Sequence, residues 1–340
     1  MAVLVTVTTM LLFFAPCCVA EVVIEHDEHG VGDWIGGVLA NNGRIYCMPF
    51  ASDSVLIIDP AANTTDTTTI SGFDGSSGSG DWAGGVLADN GLIFGFPFDA
   101  ETVLIIDPST NAVDATSLGG LPSTGNKWIS GVAADNGLIY AVPWSAASVL
   151  IIDPATNATD TTAIPASAPG MFKWRGVVQA SNGLIYGVPN QADSVLIIDP
   201  VNNTTDTRTA LVGMPGVRKW LGAVLADNGL IYGIPFKSSS VLIFDPATNT
   251  IDTTTINSDP PGDDYQWRGG VLAHNGRIYA IPSNAPVVLV IDTATNTIDI
   301  TSLPVSESLD KWQDGVLANN GLIYGIPYVA SDLLVIDPGC

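Results

Sequence analysis

Basic side chains are scarce in this 340-residue sequence, which has 11 Lys and Arg residues against 34 Asp and Glu residues, for a formal net charge of −23. A surface this negative repels nucleic-acid phosphates and anionic lipid headgroups, so neither partner is expected. Charged residues make up only 13% of the chain and hydrophobic residues 46%. That composition supplies a sizeable core and excludes a disordered protein.

Residue types that carry chemistry are equally few, with three His and four Cys. The chain has no G-x-S-x-G motif, no CxxC pair and no phosphate-binding loop. A Ser-His-Asp triad would have to use His26, His29 or His274. No motif therefore supports catalysis, and no cofactor is expected, although a divalent cation such as Ca²⁺ could bind.

Residues 1–20, MAVLVTVTTMLLFFAPCCVA, have the apolar stretch and small −3 and −1 residues of a secretory signal peptide, but no basic residue at the start. The apolar run is short for a membrane span. We expect residues 21–340 to form one secreted domain. Four sequons are candidates for glycosylation in such a chain: Asn63, Asn157, Asn202 and Asn203.

The mature chain would keep two cysteines, Cys47 and Cys340. Cys47 lies four residues after an Asn-Gly turn, or ~13 Å along an extended strand, whereas Cys340 lies at the level of that turn. This separation exceeds the ~7 Å Cα distance that a disulfide allows. We therefore expect no bridge between them.

One block recurs seven times, each copy beginning at a Trp 45 to 48 residues after the last. These tryptophans are Trp34, Trp82, Trp128, Trp174, Trp220, Trp267 and Trp312. Each is followed by four short apolar or β-branched runs that end at turn signals, chiefly Asn-Gly and Asp-Pro. No segment has a sustained 3.6-residue period, so helix should be nearly absent.

Four strands in a 45- to 48-residue period are typical of a propeller blade. The third run, such as VLIID, is apolar throughout and should be buried on both faces, whereas TIDTTTI alternates like an exposed outer strand. The last copy lacks its fourth strand, and residues 21–26 can supply it. The sequence thus predicts an all-β, seven-bladed propeller of four-stranded antiparallel blades, closed by the N-terminal strand.

The repeat GLIYGIP…SSVLIFDPATNTIDTTTI resembles the repeats of YVTN/NHL-type β-propellers over nearly the whole mature chain. It departs from them in having IYGIP where they have Tyr-Val-Thr-Asn and in the Trp before the first strand. That family is united by architecture, so the resemblance implies a fold and no particular activity.

Variable loops on one face are the expected place for binding, since the turns on the other face hardly vary between copies. The residue after the second-strand Pro is aromatic in five copies and Asn190 or Ser283 in the other two. The aromatic members are candidate contacts for a sugar or peptide: Phe50, Phe98, Trp144, Phe236 and Tyr328. The seven repeated Trp either pack between blades, which symmetry favours, or form stacking platforms.

Charge on this face is predicted to be uneven. Basic residues flank the Trp of blades three to five and could orient an anionic ligand: Lys127, Lys173, Arg175, Arg218 and Lys219. Acidic residues occupy the loops leading into blades six, seven and one: Asp259, Asp263, Asp264, Glu307, Asp310, Asp27 and Glu28. Solvated loop charge is the favoured explanation of both arcs, and a bipolar funnel that orients an anionic or zwitterionic ligand is the alternative. A metal site would use His26, His29, Asp263 and Asp264.

Three functions remain open at this point. The favoured one is a secreted, acidic, monomeric binding scaffold for an extracellular glycan or protein, without catalysis and without membrane insertion once the signal is removed. The second is a metal-dependent lactonase- or lyase-like enzyme, of the kind seen on related propellers. The third is a structural component of an extracellular matrix or coat.

Overall fold

The structure is a computed structural model that describes residues 21–25, 33–73, 80–166, 168–207, 218–258, 265–306 and 308–339. These residues form 28 β-strands and no helix. The strands assemble into seven four-stranded antiparallel sheets, whose innermost strands contact one another in a ring. The predicted seven-bladed β-propeller is confirmed.

The innermost strands each begin at a repeated Trp and are β2 (Trp34–Leu39), β6 (Trp82–Leu87), β10 (Trp128–Ala133), β14 (Trp174–Gln179), β18 (Trp220–Leu225), β22 (Trp267–Leu272) and β26 (Trp312–Leu317). The second strands each end at Pro and are β3 (Ile45–Pro49), β7 (Ile93–Pro97), β11 (Ile139–Pro143), β15 (Ile185–Pro189), β19 (Ile231–Pro235), β23 (Arg277–Pro282) and β27 (Ile323–Pro327).

The third strands each end at Asp and are β4 (Leu56–Asp59), β8 (Leu104–Asp107), β12 (Leu150–Asp153), β16 (Leu196–Asp199), β20 (Leu242–Asp245), β24 (Leu289–Asp292) and β28 (Leu333–Asp337). The outer strands of the first six blades are β5 (Thr64–Asp66), β9 (Ala112–Asp114), β13 (Ala158–Asp160), β17 (Thr204–Asp206), β21 (Thr250–Asp252) and β25 (Thr297–Asp299). The outer strand of the seventh blade is β1 (Glu21–Glu25).

The N-terminal strand closes the ring as the sequence predicts. Strand β1 pairs antiparallel with β28, with Glu21 opposite Asp337 and Glu25 opposite Leu333. Seven blades therefore form one closed circle in which the two ends of the chain share a sheet. This removes the open edge that a linear stack would expose.

The core lies between neighbouring blades. Every third strand is buried up to its terminal Asp, as the unbroken apolar run predicts. Each repeated Trp fills the space between its own blade and the one before it, as Trp174 does against Val149, Ile151 and Ile164. A symmetric ring needs this same large side chain at each of its seven interfaces.

Glycines bring the innermost strands together at the propeller axis. Gly36, Gly84, Gly176, Gly222 and Gly269 have φ between 67° and 109°, and each interrupts its strand as a bulge just after the Trp. A Cβ on Gly176 would lie 2.4 Å from the backbone of the next blade. The conformation and the close approach both require glycine here.

At the end of the propeller where the Asn-Gly turns lie, hydrogen bonds connect each blade to the next. In blade five, Asn228 Nδ2 donates to Tyr232 Oη and to the backbone oxygen of Thr293 in blade six, both at 3.0 Å. The equivalent Asn of every blade reaches the next blade in the same way, and Asn320 closes the circle onto Pro60. The Asn-Gly turns are thus tertiary contacts as well as hairpins, a role that the sequence analysis missed.

Replacing one of these asparagines should weaken the ring measurably. Asn228→Ala removes both donor bonds and the bond that its Oδ1 accepts from Leu230 N at 3.0 Å, so we expect unfolding free energy to fall by about 1–3 kcal/mol. Tyr232→Phe is the matched control, because Phe94 occupies this position in blade two. Urea denaturation measures both; a larger loss in Tyr232→Phe than in Asn228→Ala would contradict the assignment.

The outer strands of the first six blades are only three residues long, shorter than the TIDTTTI pattern predicts. The Asp that ends each of them explains this. Asp252 Oδ1 accepts hydrogen bonds from the backbone N–H groups of Thr254 at 2.7 Å and Thr255 at 3.1 Å. An Asp that bonds the backbone two and three residues on forms a local turn, which ends the strand.

These turns should make the fold sensitive to acid. Hydrogen bonds from the following Thr or Ser residues hold the pKa of Asp66, Asp252 and Asp299 at about 2, below the ordinary value of 3.8. Groups with a lowered folded-state pKa stabilise the fold above pH 3.8, and this contribution is lost as the pH falls through the folded value. Thermal melts should show a level unfolding temperature above pH 5 and a drop between about pH 4 and 2.

Asp252→Asn tests the origin of that drop, because the amide keeps the acceptor oxygen without the charge. The variant should be less stable than the wild type at pH 6, and most of the difference should be lost as the pH falls from about 4 to about 2, where half of the folded wild-type carboxyl is protonated. A difference of constant size at every pH would assign the drop to other groups.

Three further features bear on the sequence predictions. Cys47 is buried and free, and burial raises the pKa of its thiol; Cys340 lies outside the described residues. The sequon residues Asn63, Asn157, Asn202 and Asn203 are exposed in the Asp-Pro turns. The described residues include no helix long and apolar enough to cross a bilayer.

Candidate functional site

A cavity of about 200 Å³ lies at the propeller axis, on the face where the innermost strands begin. We call it the face pocket. All seven blades contribute to its lining: Ile35, Phe50, Phe98, Ile129, Trp144, Phe172, Arg175, Asn190, Arg218, Leu221, Phe236, Arg268, Gln313 and Tyr328.

The five aromatic residues singled out from the sequence all line this pocket. Phe98 and Phe236 are buried, whereas Phe50, Trp144 and Tyr328 are partly exposed. The ring of Phe50 lies 5.1 Å from that of Phe98 and 6.2 Å from that of Tyr328. The aromatic positions therefore form a joint surface around the axis and are not separate loop contacts.

Backbone hydrogen bonds fix the position of the residue that follows the second-strand Pro, which is aromatic in five blades. Trp144 N donates to Lys127 O of its own blade at 2.9 Å, and Trp144 O accepts from Lys173 N of the next blade at 2.7 Å. The same two bonds recur from Asn190 to Lys173 and Lys219. The rim of the pocket is thus a continuous hydrogen-bonded chain from blade to blade, which preorganises it for a ligand.

The floor of the pocket comes from the residue that follows each Trp, just before the bulge. Blades one and three supply Ile35 and Ile129, next to Ala83 and Phe98 in one apolar cluster. The remaining blades supply a mixed group: Arg175, Leu221, Arg268 and Gln313. The pocket therefore has an apolar half on blades one to three and a polar half on blades four to seven.

Arg175 crosses the axis from blade four to blade seven. Its Nη2 donates to Gln313 Oε1 at 2.9 Å and lies 3.8 Å from Asp314 Oδ2, which is beyond hydrogen-bond distance. The side chain is only 9% exposed. Burial lowers the pKa of Arg175, with the carboxylate of Asp314 opposing the shift.

Arg268 occupies the neighbouring part of the floor. Its Nη2 donates to Asp310 Oδ1 at 2.8 Å, and its guanidinium lies over the rings of Phe236 and Tyr328 at 5.1 and 5.6 Å. Its Nε is buried and has no acceptor among the described residues. Burial, and then repulsion from the nearby Arg175, lower the pKa of Arg268 to about 10.

Left-handed backbone at the rim turns several side chains toward these arginines. The residue two before the Trp has φ between 50° and 63° in five blades, although none of the five is glycine: Asn126, Phe172, Arg218, Tyr265 and Asp310. Phe172 and Arg218 line the pocket, and Asp310 pairs with Arg268. Such strained residues occur where the surroundings hold them and often mark functional sites.

The basic residues predicted from the sequence divide into two groups. Arg175 and Arg218 line the pocket. Lys127, Lys173 and Lys219 are buried outside it, and each Nζ donates to a backbone oxygen, as Lys173 does to Ala146 O at 2.9 Å. The three lysines thus stabilise the loops by hydrogen bonds to backbone oxygens. Of the five predicted basic residues, only Arg175 and Arg218 face the pocket.

The seven repeated Trp are interior residues. All are at most 6% exposed, and the indole Nε1 of each donates to a backbone oxygen 20 residues further on. Their role is packing, the first of the two readings that the sequence allowed. The eighth tryptophan, Trp144, is the one that lines the pocket.

The candidate metal ligands His26, His29, Asp263 and Asp264 lie outside the described residues, as do Asp27, Glu28, Asp259 and Glu307. Within the described part of the chain, no three His, Cys, Asp or Glu side chains gather as a metal site would require. The predicted acidic arc contributes Asp310 through its pair with Arg268.

Sequence reasoning missed several residues of the pocket: Ile35, Ile129, Phe172, Leu221, Arg268 and Gln313. A signal was present for most of them, since the position after the Trp holds five different residue types in the seven blades, whereas the Trp before it repeats. What the sequence does not show is that this position points at the axis.

Neither a protein-family model nor a curated protein matches the sequence. Solved structures match its fold. A streptogramin B lyase superposes with a TM-score of 0.72 at 10% identity, over 93% of this chain and 97% of that one. A virginiamycin B lyase from Staphylococcus aureus gives 0.75 at 8% identity, over 94% and 99%.

A further similar structure is the extracellular domain of a B. thetaiotaomicron protein classed as a hybrid two-component system. It has a TM-score of 0.64 at 10% identity, over 90% of this chain and 40% of that one. At such identities the likeness concerns the seven-bladed fold alone. The more specific YVTN/NHL resemblance stays a sequence-based prediction.

Proposed function

We propose that this protein is a secreted, non-catalytic propeller that binds an extracellular partner in the face pocket, a glycan in first place and otherwise a protein. The observation that carries this proposal is the convergence of unrepeated side chains. Residues that repeat in the chain build blades, whereas residues that differ between blades meet at the axis. A rigid scaffold with one varied surface is a typical arrangement for recognition.

The composition of the pocket supports a glycan. Partly exposed rings of Phe50, Trp144 and Tyr328 offer apolar faces, and Arg175, Asn190 and Gln313 offer donors and acceptors beside them. Sugars present both kinds of surface, with C–H groups on the ring face and hydroxyls at its edge. A cavity with a few polar groups set in an apolar lining is the usual form of a small-ligand site.

An extracellular location agrees with this function. The similar structures include an extracellular domain, and residues 1–20 have the composition of a signal peptide. The sequons lie in turns at the end of the propeller away from the face pocket, so glycans attached there would leave it open.

Binding to a glycan array tests the proposal. Labelled wild-type protein should retain a defined subset of glycans, and Asn190→Phe should lose them because a ring would fill the polar side of the pocket. Phe is compatible with this position, since Phe50, Phe98 and Phe236 occupy it in other blades. Arg277→Met, at the opposite end of the propeller, is the control that should bind normally.

An array without any retained glycan would reject a glycan as the partner, and binding that Asn190→Phe leaves unchanged while its unfolding temperature is normal would reject the face pocket as the site. The alternative of a metal-dependent enzyme has its own measurement. Stabilisation by Ca²⁺ or Zn²⁺ that EDTA reverses, seen in thermal melts, would favour that alternative.

A further inference from the structure

We infer that the face pocket recognises a hydroxylated carboxylate, the chemistry of a uronic acid unit in an acidic glycan. The inference rests on the proposed function and specifies the ligand of that same site.

Two guanidinium groups with incomplete hydrogen bonding indicate that the ligand is an anion. An arginine has five N–H donors. Arg175 makes one short bond, to the neutral Gln313, and Arg268 leaves its buried Nε without an acceptor among the described residues. Buried donors without partners are costly, and an ionised acceptor relieves that cost most effectively.

The position of the two arginines strengthens this argument. Arg175 and Arg268 are like charges that line the same pocket, and their carboxylate neighbours Asp314 and Asp310 are 35% and 41% exposed. Partly solvated carboxylates screen buried cations incompletely. A ligand carboxylate between the two guanidiniums would accept from both and offset their repulsion.

The hydrogen bonding of Asn190 indicates that the ligand also carries a hydrogen-bond donor. Its Nδ2 donates to Trp220 O at 3.0 Å, while its buried Oδ1 has no donor among the described residues. A hydroxyl group would satisfy this oxygen. A sugar acid supplies both a carboxylate and hydroxyls, and its C–H face suits the apolar half of the pocket.

The volume of the cavity and the net charge of the chain further restrict the class of ligand that can bind. The cavity of about 200 Å³ is below the roughly 300–1,000 Å³ of pockets for drug-sized ligands, so it suits one sugar ring. The chain has a net charge of −23, yet three of its six arginines line this pocket. Long-range repulsion disfavours a densely charged polymer, whereas a single or terminal acidic unit meets the local cations.

Titration calorimetry with matched probes tests the inference on the whole protein. The probes are D-glucuronate, D-glucuronamide, D-glucose and phenylacetate, which separate the charge from the hydroxyls. D-glucuronate should bind about 10- to 100-fold more tightly than its amide, in line with a hydrogen bond to a charged group. Glucose and phenylacetate should also bind more weakly, since each lacks one of the two features.

Two variants test whether the arginines are responsible for the preference for D-glucuronate over D-glucuronamide. Arg268→Met and Arg175→Met keep the apolar stems and should each remove the preference for D-glucuronate over D-glucuronamide. Asp310 and Asp314 are 41% and 35% exposed, so water can solvate each carboxylate once its arginine is replaced, and thermal melts check that each variant is folded. Arg277→Met, whose side chain is 50% exposed, should keep the full preference.

The outcomes separate the inference from the proposed function. If D-glucose and D-glucuronamide bind as tightly as D-glucuronate, and Asn190→Phe abolishes all three, a carboxylate is not recognised although the pocket still binds sugars. Binding of D-glucuronate that survives both arginine variants also overturns the inference, as does equal affinity for phenylacetate. Failure of every probe, together with an empty glycan array, also rejects the glycan that the proposed function places first.

Discussion

Gly176→Ala should destabilise the propeller by about 2–5 kcal/mol, although it adds a single methyl group. Gly176 has φ of 88°, where an L-residue is strained by about 1–2 kcal/mol. The added Cβ would also lie 2.4 Å from Ala223 N and 2.6 Å from Gly222 Cα. These atoms are backbone of the next blade, so the clash can be relieved only by moving a strand.

Gly183→Ala is a control within the same blade. Gly183 has a similar φ of 80°, but no atom lies within 4 Å of the position of its Cβ. It should therefore lose only the conformational part, about 1–2 kcal/mol. Urea denaturation of both variants isolates the contribution of close packing at the axis, and equal losses would show that the innermost strands can separate freely.

Trp174→Ala should cost about 3–5 kcal/mol, whereas Trp144→Ala should cost less than half as much. Trp174 is fully buried among residues of blade three, and its Nε1 donates to Ser194 O at 2.8 Å. Trp144 is partly exposed at the pocket. The same substitution thus removes a packing element in one case and a ligand contact in the other.

Stability and glycan binding measured together distinguish the two roles. Trp144→Ala should lose array binding while it stays folded, and Trp174→Phe should restore most of the packing but lack the indole hydrogen bond. If Trp174→Ala were as stable as Trp144→Ala, the repeated tryptophans would not be the inter-blade packing that the structure shows.

Repetition is the reason why the fold could be predicted from the sequence. Seven copies of Trp and Asn-Gly, and six of the Asp-Pro turn, average out the ambiguity of any single short strand. The missing outer strand of the last copy then indicated closure by residues 21–26, and β1 does pair with β28. Details that depend on side-chain hydrogen bonds were less predictable, such as the Asp252 turn that shortens its strand.

The candidate site was partly predictable for the same reason. The residue after the second-strand Pro varies between copies, as Phe98, Trp144 and Asn190 do, and these three side chains line the pocket at the axis. Arg268 was not recognised, because nothing in a linear sequence shows that the residue before a bulge points into the central cavity. Lys173 was misleading, since a loop charge can fold back onto backbone oxygens.

Acrylamide quenching of tryptophan fluorescence, with and without D-glucuronate, tests the central claim most directly. Trp144 is the one tryptophan of eight in the face pocket, and the seven repeated ones are buried. Wild-type protein should show a small quenchable fraction that is absent from Trp144→Phe and that D-glucuronate protects. Quenching that persists unchanged in Trp144→Phe would contradict an accessible face pocket, and quenching that neither D-glucuronate nor a glycan retained on the array reduces would contradict a glycan site at the propeller axis.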